Sequence, residues 1–342
     1  MKVLVLHEQV CAATARPDEL DVLAQADFAE RSLREAGLEV ARAALDGEHG
    51  SLAGALELHH PDVVLNLVES LGGSSQRIAE VPARLEELGV PFTGASSRAL
   101  RETSDKLATK LLVREHGLPT PPWLELGGAC RTPESRHETR TWIIKPSCED
   151  GSVGIDDAAL TTAQPDAVLC RLERETRAGR PCFAEAYIEG RELNVSVLVG
   201  KDGARALPVA EIVFDAFPPG KPRIVGYAAK WDSASFEYRE TPRRFDFAPS
   251  DAGLLRSLAQ LACACSELFE LGGYARVDFR VDARQQPWIL EVNANPCLAP
   301  DAGFVHAAAR AGLAPAELFG FLVESARSSA RARAMAREER GV

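Results

Sequence analysis

The segment Tyr274–Asn295, YARVDFRVDARQQPWILEVNAN, constrains this chain more than any other. Two runs of alternating polarity, Ala275–Val281 and Trp288–Asn293, flank the turn-rich DARQQP, the pattern of a β-hairpin. Pairing symmetric about Arg284–Gln285 sets Asp278 opposite Glu291 and Arg276 opposite Asn293. Side chains alternate along a strand, so these four share one face. Val277, Phe279, Val281, Leu290 and Val292 then fall on the other face, an apolar surface able to close over a core. A sheet face of Asp, Glu, Asn and Arg is costly to bury unless something ligates it. Three oxygen donors so placed suit a hard cation such as Mg²⁺, which keeps water and substrate phosphates in its remaining positions. Arg276 would stand beside developing negative charge. A solvated hairpin face with cross-strand ion pairs satisfies the same spacing equally well.

With 342 residues the chain has room for two or three compact units, and a hydrophobic fraction of 46% gives them cores. The net charge of −11 argues against general binding to nucleic acid or anionic membranes, while leaving room for a local basic pocket. No apolar run approaches a membrane span, and the opening KVLVLHEQV reads as a first strand rather than a leader. The cysteines at 11, 130, 148, 170, 182, 263, 265 and 297 form no CxxC pair, so neither a zinc site nor a redox motif is supported. Reduced thiols in a cytoplasmic protein account for them.

Strands at Lys2–His7, Leu38–Ala43 and Val63–Val68 alternate with helices opening at Pro17-Asp18, lying around Leu52–Leu58 and ending near Gly89. This alternation predicts a small doubly wound parallel-sheet domain over residues 1–100. The Gly72-Gly73 pair reads as a turn rather than a phosphate cradle, since no GxGxxG or P-loop accompanies it. A second unit, 101–188, holds a helix at Asp105–His116, a polar loop at Gly127–Arg140 and a strand at Thr141–Pro146. The loop Ser147–Gly154, a helix at Pro165–Ala178 and a strand at Cys182–Ala186 follow. Small residues after Lys145 make a flap whose N–H groups can wrap phosphate oxygens; an ordinary hairpin loop beside an exposed lysine reads the same way. The third unit, 189–342, has strands near Leu193–Val199 and Leu207–Val213, then an irregular loop, Phe217–Thr241, carrying Lys230 and Trp231. A helix at Ser250–Leu271, the hairpin and Ala-rich helices complete it, and the charged tail is assigned no function.

Six segments occur in an order and spacing that resemble the ATP-grasp superfamily, and within it the D-alanine–D-alanine ligases. They are TSDKLATK at 103–110, IIKPSCEDGSVGI at 143–155, FAEAYIEGRELNV at 183–195, YAAKW at 227–231, ARVDF at 275–279 and EVNANP at 291–296. The resemblance implies an α/β protein of ATP-grasp fold, with an N-terminal doubly wound parallel-sheet domain and two α+β subdomains clasping ATP. It matches Lys106 and Lys145 to two ATP-contacting lysines and places Ser152 in the flap over the phosphates. Glu185, Ala186, Tyr187 and Ile188 match the edge that reads adenine, and Glu192 the carboxylate that takes the ribose hydroxyls. Asp278, Glu291 and Asn293 match the ligands of two Mg²⁺ ions, for which Mn²⁺ can substitute. Lys230 matches a mobile-loop lysine near the γ-phosphate, and Arg276 an arginine that stabilises the transferring phosphoryl group and the tetrahedral intermediate. The implied activity is amide formation through an acyl phosphate, from a small-molecule or peptide carboxylate and an amine. Neither nucleic acid nor membrane is an implied partner, and dimers are usual among such enzymes. A kinase-like phosphotransferase and a non-catalytic nucleotide-binding protein are the rival readings. Cys148, although in the flap, is not expected to act as a nucleophile.

The substrate-facing segments depart from the resemblance. The glycine-rich segment expected after the first strand is HEQVCAATARPDEL here, with Glu8 the candidate to replace a missing glutamate that anchors an amine. Val68 stands at a histidine position, Gly73 at a glutamate position, Ala302 at a carboxylate-binding serine and Trp231 at a loop tyrosine, and Asp301 adds a negative charge. The nucleotide half is kept and the acceptor half rewritten, which implies a substrate pair other than two D-alanines.

Overall fold

The computed structural model describes residues 1–11, 15–47, 49–127, 138–147, 152 and 154–339, with 49–50 and 332–339 as backbone. Strands β1 (Lys2–Glu8), β2 (Glu39–Leu45) and β3 (Val63–Asn66) form a parallel sheet in the order β2-β1-β3, joined by helices α1 (Pro17–Glu35) and α2 (His49–His59), with α3 (Glu80–Leu88) following β3. Both faces of β1 are buried. Val3 and Val5 join one core with Val22, Ala26 and Ala29 of α1, while Leu4 and Leu6 join the opposite core with Val64, Val81 and Leu85. A parallel sheet covered on both sides needs such an unbroken apolar run. The first core also receives Leu318, Phe319, Leu322 and Val323 from the final helix, Pro315–Glu339, so the two ends of the chain pack together.

After α4 (Ser97–Ser104), Asp105 caps α5 (Lys106–Glu115), its carboxylate accepting the N–H groups of Leu107 and Ala108 at 3.0 Å each. β4 (Trp123–Leu124), β5 (Arg140–Pro146), β6 (Leu160–Ala163) and β7 (Cys182–Ala186) make an antiparallel sheet in the order β4-β7-β5-β6, with α6 (Pro165–Arg177) on one face. The third sheet contains β8 (Arg191–Gly200), β9 (Gly203–Ala206), β10 (Ala210–Ile212), β11 (Arg243–Arg244), β12 (Gly273–Val281) and β13 (Pro287–Asn293). Its order is β11-β10-β8-β12-β13, with β9 also on β8. Helices α7 (Tyr227–Trp231) and α8 (Phe236–Arg239) precede β11, α9 (Ala252–Leu268) backs the sheet, and α10 (Gly303–Arg310) and α11 (Pro315–Glu339) end the chain. No described helix is long and apolar enough to cross a membrane.

The hairpin has the register its alternation demands: Arg276 pairs with Asn293 and Asp278 with Glu291. One residue further the register shifts, Phe279 facing Ile289, so Leu290 is left over as a bulge. This corrects the expected core face. Ile289, 2% exposed, takes the place expected of Leu290, and Leu290 instead lines a cleft. A second correction concerns the loop 217–241, which contains two short helices, α7 and α8. Leu71–Ser74 closes as a turn around Gly72-Gly73, both in the left-handed region. The described cysteines, Cys11, Cys170, Cys182, Cys263, Cys265 and Cys297, are free thiols. Cys130, Cys148 and residues 128–137 of the polar loop lie outside the described residues.

Candidate active site

The three sheets enclose a cleft of about 760 Å³. Among the predicted site residues, Lys145, Ser152, Glu185, Ala186, Tyr187, Ile188, Glu192, Lys230, Arg276, Asp278, Glu291 and Asn293 line it. Lys106, at the start of α5, acts on it through its field at Glu291.

At the end built by β5 and β7, Glu185 is buried and its carboxylate is held by two lysines. Lys145 reaches it across the sheet, and Lys110 donates to the other oxygen at 2.6 Å. Lys110 also donates to Thr120 (2.7 Å), whose hydroxyl donates to the Ile289 carbonyl on β13 (3.0 Å). Burial works against ionising Glu185, but the two ammonium groups outweigh it and hold its pKa below the ordinary value. That carboxylate is therefore committed to Lys145 and Lys110, which leaves only the main chain of Glu185 to face the cleft. Sequence reasoning misses Lys110, whose one signal is its place a helical turn beyond Lys106. The Tyr187 N–H donates to Thr141 O at 2.9 Å, and the chain then leaves the sheet along the cleft. It crosses β12 at Gly190, where φ is +145° and a Cβ would stand 2.0 Å from Val281 O. Arg280, missed in the same way, donates to Gly190 O (3.0 Å) and the Tyr187 hydroxyl (3.2 Å) and stands 3.5 Å from Glu192. Burial pushes the Glu192 carboxyl up.

On the polar hairpin face, Asp278 accepts two hydrogen bonds from Arg276, at 2.7 and 2.8 Å, and one from Asn194 at 2.7 Å. The spacing predicts Arg276 beside developing charge on a substrate; its guanidinium already lies on Asp278. Burial alone would raise the Glu291 pKa, but Lys106, Lys230, Arg276 and Lys145 together hold it down at about 2. Burial and the neighbouring Arg276 push the Lys230 pKa down. The Asn293 side-chain oxygen accepts the Asn295 N–H at 2.9 Å, which fixes the amide's orientation. Among the described residues no three His, Cys, Asp or Glu side chains converge as a metal cluster. Two carboxylates on paired strands and an amide oxygen on the same face instead form a partial shell, which fits a hard cation that shares its sphere with substrate oxygens and water.

The loop before α7 also borders this cleft. The Ser152 hydroxyl donates to Val225 O (2.8 Å), the Tyr227 N–H donates to Ile155 O (3.0 Å), and the Tyr227 hydroxyl donates to Asp18 on α1 (2.8 Å). The loop before α7 therefore ties the flap base to the N-terminal domain. Ser152 spends its hydroxyl on this junction. Phosphate wrapping by the flap's N–H groups, and Cys148, fall in 148–151 and 153, outside the described residues. A Cβ on Gly226 would stand 2.6 Å from Ile155 O. Gly226→Ala is expected to part the junction, raising KM for ATP roughly tenfold, a loss of about 1.4 kcal/mol. Faster proteolysis within 213–242 should accompany it. Unchanged KM and protease resistance would show that the junction has no role in closure.

The wall opposite is acidic. Glu8, at the carboxyl end of β1, is nine-tenths buried and accepts the Glu69 N–H at 3.2 Å. Gln25 joins Asp21 (3.1 Å) to Glu69 (2.8 Å) and accepts the Leu298 N–H (2.9 Å), while the Cys297 thiol donates to Asp21 (2.9 Å). Gly73, Asp301 and Ala302 also line this half, whereas Val68 is fully buried behind it. The partner of Tyr227 on this side is Asp18, which the sequence presents only as a residue of a helix's first turn. Burial raises the Glu8 pKa from 4.5 to about 7, with its own N–H and those of Glu69 and Ser70 opposing the rise and Glu19 adding to it. A raised carboxyl pKa contributes stability that is full below about 4.5 and is lost as pH rises through about 7. Glu8→Gln cannot ionise, so its melting temperature should exceed that of the parent by roughly a few degrees at pH 8 and match it at pH 4.5. Equal shifts at both pH values would refute this.

The chain matches the family model described as D-ala D-ala ligase C-terminus over residues 112–324. It is 31% identical over 312 residues to the uncharacterized protein y4sG of Sinorhizobium fredii, covering 88% of this chain and 87% of that protein. It is 34% identical over 319 residues to a D-alanine–D-alanine ligase of Bordetella pertussis, covering 89% and 86%. Its fold superimposes on the D-alanine–D-alanine ligase of Bacillus anthracis complexed with ATP, with a TM-score of 0.70, 19% identity and coverage of 97% and 98%. The ligase of Coxiella burnetii aligns with a TM-score of 0.69, 16% identity and coverage of 100% and 99%.

Proposed function

The chain belongs to the D-alanine–D-alanine ligase family of ATP-grasp proteins, and from that premise we propose that it joins a carboxylate to an amine at the expense of ATP, with a substrate pair other than two D-alanines. The observation that carries this reading is the shared polar face of Asp278, Glu291 and Asn293, beside Arg276 and Lys230, on the same cleft that runs to the acidic wall. In the reaction, a substrate carboxylate oxygen attacks the γ-phosphorus, the bond to the β,γ-bridging oxygen breaks, and ADP leaves an acyl phosphate. An amine then attacks the acyl carbon, loses a proton, and phosphate departs to leave an amide.

Catalysis of this kind is chiefly positioning and electrostatics. Ala186 to Ile188 present backbone to the base, and Glu192, steadied by Arg280, meets the ribose. Lys145, anchored on Glu185, and Lys230, on α7, face phosphate charge. Arg276 stabilises the transferring group from its seat on Asp278. Asp278, Glu291 and Asn293 would hold Mg²⁺, which when bound neutralises phosphate charge. The junction of Ser152, Val225, Ile155 and Tyr227 keeps water from the acyl phosphate. The different substrate pair rests on Gly73, Asp301 and Ala302, which line a wall unlike one that grips a second carboxylate, with Val68 buried behind it where the resemblance expects a histidine.

The test is ADP and phosphate release across a matrix of carboxylates and amines with Mg²⁺. Turnover that needs a particular pair and yields an amide supports the proposal. A stable phosphorylated product without an amide selects a phosphotransferase, and ATP binding without phosphate release a non-catalytic protein; either overturns it.

A further inference from the structure

Arg280 is buried on the cleft wall, and its guanidinium is bonded to three segments at once. It donates to Gly190 O at 3.0 Å, where the chain crosses β12, and to the Tyr187 hydroxyl at 3.2 Å, on the edge assigned to the base. It also donates to Arg223 O, in the loop 213–226 between β10 and α7. The Tyr187 hydroxyl donates to that same carbonyl at 3.3 Å, so Arg223 O takes two donors, both from the nucleotide side. The fourth neighbour is the carboxylate of Glu192, 3.5 Å away and opposite Arg280 in the pairing of β8 with β12. Two rings hold the guanidinium in place: its central carbon lies 5.1 Å from the centre of Tyr187 and 5.9 Å from that of Phe214. Phe214 in turn packs with Phe217 and Val225, the small core of the loop.

Bonding two loop carbonyls would explain the hydrogen bonds of Arg280 but not its ion pair with a carboxylate that faces the cleft. Burial opposes the ionised form of Glu192, and Arg280 is the strongest of the charges that offset it. Ribose hydroxyls donating to Glu192 would fix that carboxylate, and with it the guanidinium, where the guanidinium bonds Arg223 O. Two residues on, Val225 O accepts the Ser152 hydroxyl, and Tyr227 reaches Asp18, so the loop carries the contact to the flap base and to α1. Resting on the ligase reading above, we infer that Arg280 is a positioning residue that joins the seating of the ribose on Glu192 to the seating of the loop 213–226, so that an intact ribose is needed to hold the loop on the cleft. Coupling of this kind is reciprocal: whatever frees the loop weakens the discrimination between ribose and deoxyribose.

The probes are ATP, 2′-deoxy-ATP and 3′-deoxy-ATP, with Mg²⁺ and with neither carboxylate nor amine present, so that binding is read without turnover. By calorimetry the parent should bind ATP about tenfold or more tighter than the weaker deoxy nucleotide. ATP should also protect the segment 213–242 from limited proteolysis, and that deoxy nucleotide should not. In Arg280→Met the preference should fall to within about twofold and ATP should no longer protect. Arg280→Lys, which keeps the charge, should recover part of both. Glu192→Gln tests the link from the other end, since it leaves the donors of Arg280 in place; it should lose the preference and the protection together. If circular dichroism shows Arg280→Met unfolded, the Lys and Gln variants decide. A folded Arg280→Met that binds all three nucleotides more weakly by one factor overturns the inference, as does protection by ATP that survives in Glu192→Gln. Nucleotide binding without ADP release for any carboxylate and amine leaves the inference standing and overturns the ligase proposal instead. Absence of binding by every nucleotide ends both.

Discussion

Glu291→Gln is expected to lower ATP turnover by about a thousandfold while leaving a folded protein. Gln preserves the volume and one oxygen but removes the charge on which Lys106, Lys230, Arg276 and Lys145 converge. Without it, Asp278 is the remaining carboxylate of the donor set and is already engaged by Arg276 and Asn194. Both the cation and the phosphates it would orient should therefore bind less well. The variant carries a second signature, in stability. A carboxylate whose pKa is depressed to about 2 contributes stability that is full above the ordinary value of 4.5 and is lost as pH falls through about 2. The melting temperatures of parent and variant should differ most near neutral pH and converge as pH falls toward 2. Glu291→Asp, with charge kept and reach shortened, should fall between parent and Gln in turnover. A Gln variant with parental turnover and unchanged Mg²⁺ dependence would remove Glu291 from the site altogether.

The hairpin is legible in the sequence because two independent regularities agree in it: alternation of period two, and facing positions equidistant from one turn. The bulge at Leu290 is not, because the residues around it still alternate and only the partner strand records the slip. α7 and α8 span five and four residues, too few for a helical period to show. Lys110 and Arg280 look like ordinary surface cations in sequence, and the partners that make them interior groups lie 75 and 90 residues away. Glu8 can be noticed as a charge ending an apolar strand, but its burial is visible only once β1, α1 and the loop after β13 meet. The same holds for the packing of α11 beside α1, where the contact joins opposite ends of the chain. Local chemistry reaches the polar hairpin face; the features that depend on long-range partners lie beyond it.

Lys110→Met is expected to cost about 3–5 kcal/mol of stability, the usual effect of removing one partner from a buried ion pair. Lys110 and Glu185 are 2% and 1% exposed, so water cannot replace the lost ammonium. The Met side chain fills most of the volume and still meets the Trp123 ring, which Lys110 now overlies at 5.2 Å. A cavity is therefore not the cause of the loss. Two further effects follow from the hydrogen bonds. Glu185, left with one cation, should draw Lys145 more firmly onto itself and away from phosphate, so KM for ATP should rise more than about tenfold. Thr120 loses its donor, which slackens the tie from α5 to Ile289, two residues before Glu291 on β13. The double variant Lys110→Met/Glu185→Gln separates these effects. Removing both charges leaves no buried carboxylate oxygen deprived of its ammonium, so much of the stability should return. ATP affinity should not return with it, because Lys145 then has no carboxylate to hold it in place. If stability and ATP affinity recover together, Lys145 does not depend on Glu185 for its position, and the buried triad serves the fold alone.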